Sequence, residues 1–125
     1  FVREAELSVP GNAETPIAVE ATFFSPEADG PLTASIDWRR SAGEEWTIAV
    51  RTTDGLEIRL EQGGAELLVN GEPRPEEGAG EYPDIYREFV DLIDERRSDV
   101  DVAPLRLVAD CLLTGRRREV EPVAL

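Results

Sequence analysis

Apolar and polar side chains alternate through most of the first half of the chain, and the spacing changes to three or four residues in the last third. Arg3, Ala5, Leu7 and Val9 alternate with Val2, Glu4, Glu6 and Ser8, which predicts a strand turned by Pro10-Gly11-Asn12. A second strand follows, with Ile17, Val19, Ala21 and Phe23 opposite Ala18, Glu20, Thr22 and Phe24. Beyond the polar loop from Ser25 to Pro31, Leu32, Ala34, Ile36 and Trp38 share one face of a third strand. Trp46, Ile48 and Val50 do the same in a fourth. Asp54-Gly55 predicts a tight hairpin with both central residues at positive φ. Leu56, Ile58 and Leu60 then alternate with Glu57, Arg59 and Glu61. Gln62-Gly63-Gly64 turns the chain again, Ala65 to Val69 forms a strand, and Asn70-Gly71 closes it, so this stretch reads as an antiparallel meander. Pro73 to Gly78 breaks the pattern.

Two amphipathic helices come next. Ile85, Phe89, Leu92 and Ile93 fall on one stripe of the first, and Pro83 suits a helix start because its missing donor would be unpaired there. The second begins near Pro104, places Leu105, Val108, Cys111 and Leu112 at helical spacing, and stops at Gly115. Arg116 to Val123 adds a short last strand, with Pro122 placing it near an edge. The expected fold is α+β: one predominantly antiparallel sheet of about six strands, with the two C-terminal helices packed on one face. Residues 1–125 read as a single domain cut from a longer chain. The other sheet face carries Glu4, Glu6, Glu20, Thr22, Asp37, Arg39, Arg51, Glu57 and Arg59. Solvent is the default for such a face; charge pairing across a two-fold contact between copies is the alternative.

Composition narrows the chemistry. The chain has 27 acidic residues against 13 basic, for a net charge of −14, and every basic residue is arginine. Neither nucleic acid nor an anionic membrane is an expected partner. No apolar run is long enough to span a bilayer. Histidine, lysine and methionine are absent and there is one cysteine, so the usual zinc sites, a Ser–His–Asp or Cys–His arrangement and a Schiff-base lysine are all excluded within this chain. Cys111 reads as a buried structural thiol. Close acidic pairs such as Glu76/Glu77 and Asp99/Asp101 are expected by chance at this acid content, and the latter pair fits helix capping better than catalysis. Asp110, among apolar neighbours, calls for an arginine partner. Gly63-Gly64 and Gly78-Ala79-Gly80 lack the GxGxxG spacing of a dinucleotide loop. Trp38 and Trp46 remain: on strand faces both read first as core, but a tryptophan beside a loop also offers a ring face to a sugar.

The stretches Glu81-Tyr-Pro-Asp-Ile-Tyr-Arg-Glu-Phe, Ser98-Asp-Val-Asp-Val-Ala-Pro-Leu-Arg-Leu-Val-Ala-Asp-Cys and Thr114-Gly-Arg-Arg resemble the C-terminal domain of the glucose–fructose oxidoreductase/inositol dehydrogenase superfamily. Asp37-Trp38-Arg39, Trp46 and the Asn70-Gly71-Glu72-Pro73 turn resemble its bacterial D-galactose and L-arabinose 1-dehydrogenase group. The resemblance implies a sheet domain of the glyceraldehyde-3-phosphate dehydrogenase C-terminal type, in a cytoplasmic protein. That domain would wall a sugar site through Trp46 and Trp38 and join subunits into a homo-oligomer through its open face. It implies NAD or NADP for the parent protein, held by a preceding Rossmann domain that also supplies the catalytic lysine. No catalytic, cofactor or metal residue is then expected in this chain, which alone would be inactive. A non-catalytic sugar sensor of the same superfamily and a free-standing scaffold for protein contacts stay open as alternatives.

Overall fold

The computed structural model describes residues 1–39, 41, 43–75 and 81–123. Among these residues eight strands and two α-helices follow in the order β1 (Val2–Pro10), β2 (Ala18–Phe23), β3 (Leu32–Asp37), β4 (Ile48–Arg51), β5 (Glu57–Glu61), β6 (Glu66–Val69), β7 (Glu72–Arg74), α1 (Glu81–Glu95), α2 (Ala103–Thr114) and β8 (Arg116–Val120), with a 3-10 turn at Gln62–Gly64 between β5 and β6. The α+β expectation holds. The strands, however, form two four-stranded sheets, ordered β3-β2-β1-β8 and β4-β5-β6-β7. They lie in two compact units, one made of Phe1–Ala42 with Asp101–Leu125, the other of Gly43–Val100.

In the first unit β1 pairs antiparallel with β2 and parallel with β8, and β2 pairs antiparallel with β3. Alternation along β1 buries Ala5, Leu7 and Val9, as the pattern predicts. Val2 departs from it. A register shift between Val2 and Glu4 inserts one extra residue, so Val2 pairs with Phe23 and packs against the core instead of joining the polar face. Helix α2 lies on β1, with Cys111 buried against Ala5 and Ala21. These small side chains let the helix approach closely. Gly115 is required for the same reason: a Cβ there would stand 2.4 Å from the Cys111 carbonyl and 3.0 Å from Leu7 Cγ. Its φ of −65° shows that contact, not left-handed backbone, selects glycine. At the other end of α2 the Asp101 carboxylate accepts the Ala103 N–H at 2.8 Å, the capping role expected of the Asp99/Asp101 pair.

The second unit is the predicted meander, extended by one strand. Glu72–Arg74, where the sequence predicts a break, pairs with β6; Pro73 is tolerated because β7 is an edge strand. Asn70 and Gly71 both take positive φ, as a two-residue hairpin requires, and Asn70 Oδ1 accepts the Glu57 N–H at 2.9 Å. The Asp54-Gly55 turn is built differently from the expectation. Only Gly55 is left-handed, and Thr52 N–H donates to the Leu56 carbonyl at 2.9 Å, so the loop holds three residues and its glycine absorbs the bulge. No described residue of this unit is fully buried. Ile48 and Val50 on the sheet are exposed, and so are Ile85, Phe89 and Ile93 along the apolar stripe of α1. The acidic pair Glu76/Glu77 and the Gly78-Ala79-Gly80 run lie outside the described residues.

Candidate functional site

The polar face of the first sheet joins ionic and hydroxyl groups from four strands. Register places Ser35, Glu20, Glu6 and Arg116 in one row across four strands, and Asp37, Ala18, Ser8 and Arg118 in the next. Glu6 and Glu20 are directly opposed, an unfavourable arrangement for two carboxylates. Their neighbours offset it. Arg116 Nη2 lies 2.6 Å from Glu6 Oε2, Arg118 Nη1 lies 3.5 Å from Glu6 Oε1, and Ser35 Oγ donates to Glu20 Oε1 at 2.5 Å. Glu4, Glu6, Glu20, Thr22, Thr33 and Arg116 line a shallow hollow of ≈ 330 Å³ there. Among the described residues no group of three or more His, Cys, Asp or Glu side chains is arranged to hold a metal ion.

Trp38 follows the last paired residue of β3 and is 82% exposed. A core position, the first reading of its strand pattern, is overturned for this chain: β3 is an edge strand, and Trp38 lies in the turn beyond it. Beside it Arg39 is forked onto Asp37, with Nε 2.8 Å from Oδ1 and Nη2 2.7 Å from Oδ2. That hydrogen bonding, with the carboxylate's charge, raises the already high pKa of the guanidinium. The fork ties Arg39 to Asp37 in the turn that also carries Trp38. Trp46 precedes β4 in the second unit and is 40% exposed. Alternation along a strand names a face; the strand's place at a sheet edge, which decides exposure, is not written in it.

Cys111 is a buried free thiol whose pKa is raised by burial and by the charge of Asp110, the opposite of an activated nucleophile. Asp110 itself forms no ion pair among the described residues, so the expected arginine partner is not there. Its partial exposure leaves the carboxylate to water. No described helix is long and apolar enough to cross a membrane.

No family model matches the chain. It is 41% identical over 121 residues to a galactose 1-dehydrogenase of Pseudomonas fluorescens, an alignment covering 97% of this chain and 39% of that protein. The crystal structure of D-galactose-1-dehydrogenase from Rhizobium etli superposes with a TM-score of 0.84 at 41% identity, covering 99% of this chain and 39% of that one. The chain thus spans about two fifths of the length of the relatives it matches. In sequence and in fold, over nearly its whole length, it is similar to the C-terminal region of galactose 1-dehydrogenases.

Proposed function

We propose that this chain is the substrate-side and subunit-contact domain of a cytoplasmic NAD(P)-dependent aldose 1-dehydrogenase, acting on D-galactose or L-arabinose. The observation that carries this reading is 41% identity sustained along 97% of the chain. In the parent enzyme a hydride leaves the anomeric carbon of the sugar for the nicotinamide, a proton is lost from the anomeric hydroxyl, and a lactone results. Among the described residues, the start of α2 does not fit the dinucleotide's phosphates. The N-terminus of α2, a place for a phosphate in principle, is already occupied by the Asp101 carboxylate on the Ala103 N–H, and Pro104 removes a donor. In this reading the residues of this chain take no part in the hydride step. Their part is to present an aromatic wall.

Trp46 supplies that wall and Trp38 is the second position for it. An indole face against the apolar side of a pyranose contributes about 0.5–1.5 kcal/mol beyond area burial. In the full-length parent, Trp46→Ala raises the KM for the aldose up to about 10-fold and changes kcat less. An unchanged KM in both Trp46→Ala and Trp38→Ala would remove the wall from this domain. The purified chain mixed with galactose and NAD or NADP forms no reduced nicotinamide. The cluster of Glu20, Glu6, Arg116 and Arg118 gives the subunit contact its chemistry, because carboxylates and guanidinium groups on one face pair with those of a second copy across a two-fold axis.

A further inference from the structure

The chain contains two asparagines, and the fold holds their side-chain amides differently. Asn12 is bonded at both ends of its amide: Nδ2 donates to the Val123 carbonyl at 2.8 Å, and Oδ1 accepts the Val123 N–H at 3.0 Å. Asn70, in the hairpin between β6 and β7, is bonded at the oxygen, where Oδ1 accepts the Glu57 N–H at 2.9 Å. Among the described residues its Nδ2 has no acceptor, and the N–H of the next residue, Gly71, has no partner. The bond from Glu57 draws electron density from Oδ1 and leaves Cγ more open to a nucleophile. The NH2 group is the part left unheld. Gly71 follows directly, with no Cβ to shield its backbone nitrogen.

We propose that Asn70 is a covalent modification site, deamidated through a cyclic imide that the Gly71 nitrogen closes. The Gly71 nitrogen forms a bond to Asn70 Cγ and gives up its proton. The Cγ–Nδ2 bond breaks, and ammonia departs with that proton. Water then adds to one of the two imide carbonyls. Addition at Cγ restores the ordinary backbone with an aspartate at position 70; addition at the former backbone carbonyl leaves the chain running through the side chain, an isoaspartyl link. One water is consumed, one ammonia is released, and nothing is oxidised or reduced. The other residue–glycine turns lack this combination. Asp29-Gly30 and Asp54-Gly55 offer carboxylates, ionised at neutral pH and poor acceptors of a nucleophile. Gln62-Gly63 must close a larger ring, and Gln62 Nε2 is held by Glu66 Oε2 at 2.9 Å. The two products differ in what they do to the hairpin. Aspartate tolerates the positive φ of this position, and its carboxylate accepts the Glu57 N–H more strongly than the amide does. The isoaspartyl link lengthens the turn that sets Val69 opposite Glu72, and so works against the pairing of β7. The site lies wholly within the Gly43–Val100 unit and does not rest on the sugar-dehydrogenase reading.

The test is ageing of the whole folded chain in mildly alkaline buffer, which favours loss of the Gly71 proton, followed by peptide mapping with mass spectrometry. The mass gain of an amide turned to acid is expected at Asn70 at about 10-fold or more the rate at Asn12, a ratio equivalent to about 1.4 kcal/mol of barrier. Isoaspartyl links are counted separately, by enzymatic methylation with an isoaspartate methyltransferase and a labelled methyl donor. That label rises in step with the mass gain in the unaltered chain. In Asn70→Gly, whose glycine pair suits the same two-residue hairpin, it falls about 10-fold or more. The mapping is read on the unaltered chain, so it stands whether or not the variant keeps its hairpin. Equal gain at Asn12 and Asn70, no gain at Asn70, or undiminished label in Asn70→Gly would each overturn the proposal.

Discussion

Among the described residues each of the two units contains four strands and one α-helix, but their side chains meet in different ways. In the first, α2 brings Cys111 onto Ala5 and Ala21, and Leu7 is 1% exposed beneath it. In the second, the sheet and α1 each keep an apolar face accessible, and Phe89 is 59% exposed. Amphipathic pattern is equally clear in both. What separates them is the size of the contacting groups: alanine, cysteine and Gly115 allow α2 to close on the strand, while the α1 stripe is built from isoleucine, phenylalanine and leucine. The first unit carries its own core. The second leaves the apolar stripe of its helix and the apolar positions of its sheet accessible.

Substitutions break or sharpen this contrast. Leu7→Ala lowers the stability of the first unit by about 2–5 kcal/mol, the range for a fully buried leucine, whereas Phe89→Ala in this chain changes stability by less than about 0.5 kcal/mol. Urea titration followed by amide signals from each unit measures both; equal losses would erase the distinction. Gly115→Ala costs about 1–3 kcal/mol by the same assay, since the new methyl group meets the Cys111 carbonyl and Leu7, neither of which yields easily. The smallest effect is ionic. Hydrogen bonds from the Thr52 hydroxyl and from backbone groups hold the Asp54 carboxyl below its usual pKa. Its contribution is therefore present above the ordinary aspartate range and lost as pH falls through the depressed value. In Thr52→Val the Asp54 titration followed by NMR moves upward; an unmoved midpoint would deny Thr52 that role.

Much of this architecture is legible in the residues. The alternation of Ala5, Leu7 and Val9, the Asn70-Gly71 hairpin and the Pro104-to-Gly115 helix all follow from local rules that tertiary contacts reinforce. The division into two sheets is not legible, because alternation fixes which face is apolar and says nothing of which edges pair. The bulge that turns Val2 inward inserts one residue and reverses parity before the pattern is long enough to register it. Trp38 and Trp46 are visible as candidates, but their accessibility depends on standing just outside the ends of strands. The Glu6–Arg116 pair joins residues 110 positions apart, and no spacing within the chain announces it.

That long-range pairing has a temporal consequence. Of the described strands β1 is made before all the others and β8 after them, yet they are neighbours, and the Asn12 side-chain amide locks onto Val123, donating to its carbonyl at 2.8 Å and accepting its N–H at 3.0 Å. During synthesis the entire meander and α1 emerge before the opening strand can acquire its parallel neighbour or its covering helix. Ribosome-bound chains ending before Asp101 thus display the Ala5–Leu7–Val9 row to chaperones and proteases, and protection arrives in one late step with α2 and β8.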